Sequence, residues 1–424
     1  MSETNDEAAI SDERIARLRA RIGVAQPHPQ PPWYRHPGPD AFRHVSEACG
    51  DDNPLWCDAD YATASVWGGP IGSPNINGGD TLIGENEIGR LDPDTRALLK
   101  GDPLKGAHAY YSGSHREWWA PVRPGQSITR RNALVGVHDK SSEFAERTVH
   151  EWTGEVFAAA DHVLSAQYRL MIRTDRRAVE EKAGATTPSG PAPYTDDEIA
   201  AITEAVLAEP SRRRGAEPRL WEDVEEGDEL PPLVKGPMRV TDIVVWHTGM
   251  GMGLYGVKAL RLAQQQRARV PGFFRVDELN IPDVHQRVHW DPAWAARAGS
   301  PAIYDYGRMR ETWLVHLCTD WMGDDAWLAA LDVEFRKFNY VGDTHWMRGT
   351  VARKYLADGD RPAVDLEIRG ENQRGEITCP GHATVLLPSR EHGAVVLPDP
   401  PGGAKNCAEA LEALVERFAA AART

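Results

Sequence analysis

Cysteines are the first residues to consider for chemistry, because thiolates bind metals, form disulfides and act as nucleophiles. The chain has an odd number of them, scattered along the sequence with no Cys-x-x-Cys pair. This spacing argues against a disulfide framework and against a thiolate metal site, and it favours a reducing compartment. The five are Cys49, Cys57, Cys318, Cys379 and Cys407.

Motifs that bind phosphates, redox cofactors or metals are missing from the sequence. It contains no Walker-type Gly-Lys loop, no Gly-x-Ser-x-Gly nucleophile elbow and no His-Glu-x-x-His pair. The run Gly-Met-Gly-Met-Gly follows an apolar segment, but its glycines do not have the spacing of a dinucleotide-binding fingerprint. We therefore expect neither a metal nor a redox cofactor.

The charge balance excludes some classes of partner. The 48 Lys and Arg residues against 63 Asp and Glu residues give a formal net charge of −15. Such a surface repels nucleic acid, although a local basic pocket for one phosphorylated ligand is compatible with it. The N-terminal residues do not form a signal peptide, and no run is long and apolar enough to cross a bilayer. We expect a cytoplasmic, soluble protein with a small-molecule partner, no nucleic acid and no membrane.

The clearest division of the chain lies between Arg177 and Trp221, where a stretch rich in Ala, Gly and Pro lacks large apolar residues. Within it, Thr195 and Glu198 have the spacing of a capping box, which predicts the start of a helix. The length of 424 residues fits two or three domains. We predict four parts: an N-terminal domain, a linker with one helix, a C-terminal domain and a tail helix, over residues 1–177, 178–218, 219–392 and 393–424.

The two halves repeat one order of elements: an opening helix, a Gly/Pro-rich turn, a further segment and then strands. The second half places apolar residues such as Val364, Leu366 and Ile368 at alternate positions, as a sheet with one covered face requires. A helix predicted between Trp313 and Trp321 is apolar nearly all round, and such a helix is buried. These features predict an α+β fold, a tandem (double) hot dog in which each antiparallel sheet wraps around a buried central helix.

A family resemblance rests on motifs in both halves. The segment 48–56, Ala-Cys-Gly-Asp-Asp-Asn-Pro-Leu-Trp, resembles the hydratase signature Gly-Asp-x-Asn-Pro-Leu-His of MaoC-like proteins. The second half contains His-Trp-Asp-Pro starting at His289 and Tyr-Asp-Tyr-Gly ending at Gly307, which look like the C-terminal half of two-repeat members. The chain is therefore similar, over residues 37–389, to the MaoC-like acyl-CoA dehydratase and (R)-specific enoyl-CoA hydratase family in its double hot-dog form.

The resemblance implies chemistry on an α,β-unsaturated acyl-CoA thioester. In the family an Asp and a His position a water molecule; the water loses a proton as it attacks C3, and C2 receives one. The thioester carbonyl gains negative charge as an enolate forms, and a backbone N–H at the N-terminus of the buried helix stabilises it. Gly307 occupies that place here. The resemblance also implies an (R)-3-hydroxyacyl product and no cofactor beyond the coenzyme A of the substrate.

The first half departs from the signature at one position. It keeps Asp51 but has Trp56 where the family has its His, and an indole cannot act as a general base. We therefore predict that the first half is not catalytic and that it shapes the acyl pocket, with Trp56 and Trp67 as walls. The alternative is that both tryptophans are core residues and that Asp51 caps a turn or a helix.

The second half has the His but not the acid. His289 stands where the family His would be, whereas Val284 occupies the position of the acid and cannot replace it. An inserted stretch before His289 must supply a substitute, and Asp283 is the nearest carboxylate, with His285 as the next candidate. We therefore predict His289 and Asp283 as the catalytic pair; the alternative for His289 is a hydrogen-bonded turn histidine.

Residues at the start of the buried helix form the predicted substrate-binding set together with Gly307. Tyr304, Asp305 and Tyr306 replace the usual His-Gly turn of the family, and they either contact the substrate or serve in packing and capping. Arg308 follows Gly307 directly and could bind the phosphates of coenzyme A. Basic residues of the inserted stretch are a second candidate for the phosphates, or else a solvated helix face: Lys258, Arg261, Arg267 and Arg269.

The sequence thus favours a hydro-lyase that catalyses reversible hydration of an enoyl-CoA. An acyl-CoA thioesterase stays open, because a water beside a thioester can also attack C1. A non-catalytic acyl-CoA-binding protein stays open as well, because one half lacks the His and the other lacks the Asp. Edge strands in this architecture are commonly covered by a partner, so we expect a homodimer. The 14 tryptophans fit a bulky or ring-bearing acyl group, but tryptophan is also a packing residue.

Overall fold

The structure, a computed structural model, describes residues 10–27, 31–77, 82–142, 146–174, 190–251, 257–298 and 300–421. Its strands join into one sheet of ten strands and a separate two-stranded hairpin. In chain order the strands are β1 (Glu85–Asn86), β2 (His108–Trp118), β3 (Thr129–Ser142), β4 (Glu146–Ala158), β5 (Val163–Thr174), β6 (Leu233–Lys235), β7 (Phe274–Val276), β8 (Pro282–Val284), β9 (Trp327–Glu334), β10 (His345–Ala357), β11 (Arg361–Asn372) and β12 (Ile377–Leu386).

The helices of the described residues lie between and after these strands. They are α1 (Asp12–Arg19), α2 (Pro39–Ala48), α3 (Pro54–Cys57), α4 (Ala59–Ala64), α5 (Pro93–Leu98), α6 (Asp196–Leu207), α7 (Glu209–Arg212), α8 (Val240–Gly249), α9 (Leu260–Arg269), α10 (Pro292–Arg297), α11 (Gly307–Met322) and α12 (Cys407–Ala421). None of these helices combines the length and the apolar character that a bilayer crossing needs.

The ten-stranded sheet is two five-stranded sheets joined edge to edge. Its order is β1-β3-β4-β5-β2-β9-β12-β11-β10-β6, so the first five strands come from the first half of the chain and the last five from the second. The junction is the antiparallel pair β2 and β9, in register from Gly113 opposite Glu334 to Glu117 opposite Ala330. The predicted α+β double hot dog is confirmed.

The second half wraps around α11, as its sequence predicts. Side chains such as Leu314, Leu317 and Cys318 are fully buried against β9 to β12, because the stretch from Trp313 to Trp321 is mostly apolar. Burying one large aliphatic side chain stabilises the fold by about 1.5–3 kcal/mol. The helix ends at Gly323, whose φ of 82° lies in the left-handed region that glycine adopts without strain.

The first half differs from the prediction in its centre. Where the second half has α11, the described residues of the first half have only the 3₁₀ helix Pro74–Asn77. This segment belongs to a run rich in Gly, Pro and Asn, residues that are poor helix formers. The first-half sheet therefore curves over a short turn and over the N-terminal part of α11, which contacts β2 and Pro74–Asn77.

The linker and the tail each contain the predicted helix. Thr195 and Glu198 form the capping box that starts α6, while residues 178–189 of the predicted linker lie outside the described residues. The tail helix α12 does not pack on the neighbouring C-terminal domain. It covers the outer face of β3 and β4 in the first half, where Leu411 and Leu414 meet Ala133 and Val156 in one apolar cluster.

Candidate active site

The two halves build the same turn around the family signature. In the first half Asp58 caps α4 by accepting hydrogen bonds from the N–H groups of residues 60 and 61, and in the second half Asp291 caps α10 through those of residues 293 and 294. His289 and Trp56 each stand two residues before their cap. The structure therefore places His289 at the position that Trp56 occupies in the other half.

His289 is buried, and its protonation state is fixed by its surroundings. Its Nδ1 lies 2.9 Å from the carbonyl oxygen of Tyr304. Because a carbonyl oxygen only accepts hydrogen bonds, Nδ1 must carry the proton, and the lone pair is then on Nε2. Burial lowers the pKa of His289 to about 4, so the imidazole is neutral at pH 7. A neutral imidazole with its lone pair on Nε2 can accept a proton from water.

Aromatic rings enclose this imidazole. The ring centroid of His289 lies 3.9 Å from that of Tyr306 and 4.9 Å from that of Tyr304. A second histidine, His247 at the end of α8, stacks on Tyr306 with centroids 5.4 Å apart. Burial lowers the pKa of His247 to about 4, and its Nε2 has no hydrogen-bond partner among the described residues. Sequence reasoning did not find His247, although its place in the opening helix of the second half was a usable signal.

Gly307 starts α11 next to these rings. Tyr306, the residue before it, makes no side-chain cap. In the first turn the N–H of Met309 donates to the carbonyl oxygen of Tyr306 at 2.7 Å, and no hydrogen bond to the N–H of Gly307 or Arg308 is seen among the described residues. A Cβ at position 307 would lie 3.3 Å from Phe335 and 3.4 Å from Tyr111, which leaves little room for any residue but glycine. The helix start thus combines an N-cap without a side-chain hydrogen bond, the positive end of the helix dipole and a tight aromatic wall.

Asp283, the predicted partner of His289, lies on β8 in the small hairpin and has other partners. Its Oδ1 accepts from the N–H of Val284 at 2.7 Å, and its Oδ2 lies 3.4 Å from Nη1 of Arg287. None of the contacts described for Asp283 is to His289. The structure therefore does not bring the two predicted catalytic residues together, and a catalytic role for Asp283 stays a prediction.

Asp305 points away from the two tyrosines that flank it. Its carboxylate accepts from Nε of Arg310 and Nδ2 of Asn339, both at 2.9 Å, inside the second half. Burial raises the pKa of Asp305 to about 6. Because it is 2% exposed and bonded within the core, its surroundings fit an anchor of the helix start better than a substrate contact.

The basic candidates separate into two groups. Arg308 is buried, and its side chain reaches the first half, where Nη1 lies 3.4 Å from Oε1 of Gln167. The other group lies exposed on α9 or just before it, as a solvated helix face would. It consists of Lys258, Arg261, Arg267 and Arg269.

The signature residues of the first half hold the end of α11. Trp56 donates its indole N–H to Asp51 at 3.1 Å, in the place where the family has an imidazole. Asn53 and Tyr61 both donate to the carboxylate of Asp324, just after α11, at 3.3 and 2.6 Å. Trp67 donates to the backbone oxygen of Asp324 at 2.8 Å. In this half the signature docks a helix of the other half.

A narrow, mostly apolar cavity lies beside Trp56. Its walls include four indoles, together with Leu55, Ile71 and Val122. The four are Trp56, Trp67, Trp118 and Trp327. Trp56 and Trp67 thus line a cavity at the C-terminal end of α11, whereas Gly307 starts that helix, and their predicted role as walls of the acyl pocket stays a prediction.

A buried charge cluster lies around His316 at the middle of α11. Nε2 of His316 is surrounded by carboxylate oxygens of Glu209, Asp320 and Asp51, at 3.2, 3.4 and 3.6 Å. Its Nδ1 lies 2.8 Å from Nζ of Lys235. Burial alone would lower the pKa of His316, but the carboxylates outweigh it and raise the pKa to about 9. No sequence pattern indicated this cluster, because its members come from distant segments.

Comparison with known proteins shows the fold. A MaoC-like dehydratase matches with 15% identity and a TM-score of 0.56, over 87% of this chain and 99% of its own. A MaoC domain protein dehydratase from Chloroflexus aurantiacus J-10-fl matches with 14% identity and a TM-score of 0.53, over 92% of this chain and 100% of its own. No model of a protein family and no curated protein matches the sequence.

Proposed function

We propose that this protein, which has the double hot-dog fold of MaoC-like dehydratases, is a hydro-lyase that reversibly hydrates a 2-enoyl thioester of coenzyme A. The observation that carries the proposal is the pairing of His289 with the start of α11. A neutral imidazole with its lone pair on Nε2 contacts the Tyr306 ring, and Gly307 follows Tyr306 directly. An acid–base group and an oxyanion-binding N–H are the two parts that water addition needs.

The chemistry follows from these parts. The thioester carbonyl would accept a hydrogen bond from the N–H of Gly307, which withdraws electrons from C3 of the conjugated double bond. His289 Nε2 would take a proton from water as the oxygen attacks C3, and the negative charge would collect on the thioester oxygen, facing the positive end of α11. Protonation of C2 then completes the hydration, and dehydration runs through the same steps in reverse.

His247 is our candidate for the second acid–base group. It contacts Tyr306 as His289 does, it is buried, and a positive charge on it would lower the pKa of His289 further. A proton taken up by one imidazole therefore disfavours a second proton on the other. Such a pair holds one extra proton at a time, as it would if it took that proton from the attacking water. In this proposal the pair does the work that the sequence assigned to His289 together with Asp283.

A non-catalytic acyl-CoA-binding protein is the second candidate. It is favoured by one specific observation: none of the contacts described for His289 is to a carboxylate, so its pKa stays low and its basicity weak. Tight binding of acyl-CoA without turnover would select this function.

Loss of absorbance at the enoyl thioester band measures hydration directly. We expect activity on a panel of 2-enoyl-CoA substrates, and a fall in kcat of about 10²–10⁴-fold in His289→Ala, the usual contribution of a general acid or base. His382→Ala, which removes an exposed histidine from β12, should keep full activity. Normal turnover in His289→Ala would overturn the assignment. Thiol release without loss of the double bond would instead identify a thioesterase.

A further inference from the structure

One row of side chains on the inner face of the sheet changes from apolar to polar at the junction of the two halves. The row crosses eight neighbouring strands at a common register. In the second half the row is entirely aliphatic, and in the first half every member can form hydrogen bonds. The row consists of Val351, Leu366, Ala383, Leu331, Arg116, Gln167, Glu155 and Asn132, on β10, β11, β12, β9, β2, β5, β4 and β3.

The polar part of this row has unused hydrogen-bonding groups. Nε2 of Gln167, Nε of Arg116 and Oε2 of Glu155 are buried and have no hydrogen-bond partner within the described part of the chain. A buried polar group without a partner costs about 1–3 kcal/mol. A purely aliphatic acyl chain on this face would leave that cost in place, so the face favours a polar ligand.

Arg308 adds the strongest of these groups. Its side chain runs from the first turn of α11 to Gln167, and the residue is 5% exposed. Its Nε and Nη2 have no hydrogen-bond partner among the described residues. These two nitrogens form one edge of the guanidinium, and that edge binds a carboxylate through two parallel hydrogen bonds.

The charges around Arg308 do not balance. Arg116 pairs with Glu311 at 3.0 Å, and Arg130 pairs with Glu155 at 2.8 Å. Arg308 is left 3.9 Å from Glu311, which already accepts from Arg116 and from the hydroxyl of Tyr111. Three buried guanidiniums thus share two carboxylates, and one more anion would balance them.

The position of Arg308 limits the length of the substrate group that would carry the additional anion. It is the next residue after Gly307, whose N–H would hold the thioester carbonyl, and neighbouring Cα atoms are about 3.8 Å apart. A carboxylate bound by Arg308 while the carbonyl lies at Gly307 is separated from that carbonyl by no more than the reach of one arginine side chain, which limits the acyl group to a short chain. We take the anion to belong to the acyl group, because the guanidinium is buried between α11 and the first-half sheet, whereas the phosphates of coenzyme A are joined to the thioester through a long arm.

We propose that the substrate's acyl group is short and carries a carboxylate of its own, which the Nε and Nη2 edge of Arg308 binds. The substrate class is then the monothioester of a short dicarboxylic acid with coenzyme A. This inference rests on the proposed function, because it takes the thioester to lie at Gly307. It replaces the bulky or ring-bearing acyl group that the tryptophan content suggested.

Isothermal titration with two saturated thioesters of equal chain length tests the inference without turnover. Succinyl-CoA carries the carboxylate and butyryl-CoA does not. We expect succinyl-CoA to bind at least about tenfold more tightly, which is about 1.4 kcal/mol. In Arg308→Gln the two thioesters should bind with about equal affinity. Arg308→Lys keeps the charge but not the two-nitrogen edge of the guanidinium, and it should keep part of the preference. Arg336→Gln, a change of an exposed arginine after β9, should leave it unaltered.

Thermal melting of each variant shows whether it is folded, and Arg308→Lys decides the question if Arg308→Gln does not fold. Equal affinity for the two thioesters, or an unchanged preference in the Arg308 variants, would overturn the inference and leave the hydratase proposal intact. Binding of neither thioester would overturn both. A preference for succinyl-CoA with no hydration of any enoyl thioester would support the inference and overturn the proposed function.

Discussion

Replacing His316 by Gln is expected to remove a pH-dependent part of the protein's stability. The imidazole is fully buried among the carboxylates of Glu209, Asp320 and Asp51, which raise its pKa to about 9 from 6.5. The native state therefore binds a proton more tightly than the unfolded chain does. Gln keeps a similar length and a hydrogen-bonding end but cannot take up the proton.

The sign and size follow from the two pKa values. Between pH 6.5 and about 9 the native state holds a proton that the unfolded chain has released, so the free energy of unfolding falls as pH rises through this window. The stabilisation is fully present below pH 6.5 and is lost above about 9. At 1.36 kcal/mol per unit of pKa, the upper limit is about 3 kcal/mol.

Urea unfolding at four pH values about one unit apart, from pH 6 to pH 9, measures this dependence. Wild type should lose stability across the series, whereas His316→Gln should be less stable at pH 6 and change less with pH. His382→Gln, which alters an exposed histidine, should follow wild type. Parallel pH profiles for wild type and His316→Gln would refute the reasoning.

Two more outcomes follow from the site and its supports. Burial holds the pKa of His289 at about 4, so kcat/KM for hydration should stay level from pH 8 down to pH 6 and fall only as the pH approaches 4. A fall in kcat/KM centred near pH 6.5 would instead indicate an exposed imidazole. Asp324→Ala should lower the free energy of unfolding by about 2–4 kcal/mol, because Tyr61 and Asn53 both lose their acceptor. Asp325→Ala is the neighbouring control in the same chemical denaturation, and an equal loss in both variants would contradict the docking role of Asp324.

The second-half fold was predictable because its sequence pattern and its packing agree. Val364, Leu366 and Ile368 alternate in β11, and all three face the buried side of the sheet, as sequence reasoning expected. The helix predicted between Trp313 and Trp321 from its mostly apolar residues lies within α11, and the capping box at Thr195 starts α6. Local pattern sufficed wherever one face of an element is apolar.

The first half was harder to predict because part of its interior is polar. The strand β2 stands at the centre of the whole sheet, yet it showed no apolar alternation, since its inward positions include Ser114 and Arg116. The site was only partly predictable for a different reason. His289 and Gly307 were found from motifs, whereas His247 and His316 gain their surroundings from contacts between distant segments, which no local pattern records.

The position of α12 has a consequence for the order of folding. The helix covers the outer face of β3 and β4, and its Cys407 reaches Thr129 across a separation of 278 residues. During synthesis the first half therefore emerges with that apolar face bare, and the face stays bare until almost the whole second half has followed. Contacts between residues far apart in the sequence slow folding, and until they form they leave aggregation-prone apolar surface exposed. We therefore expect the first half of the nascent chain to be prone to aggregation until α12 has been made.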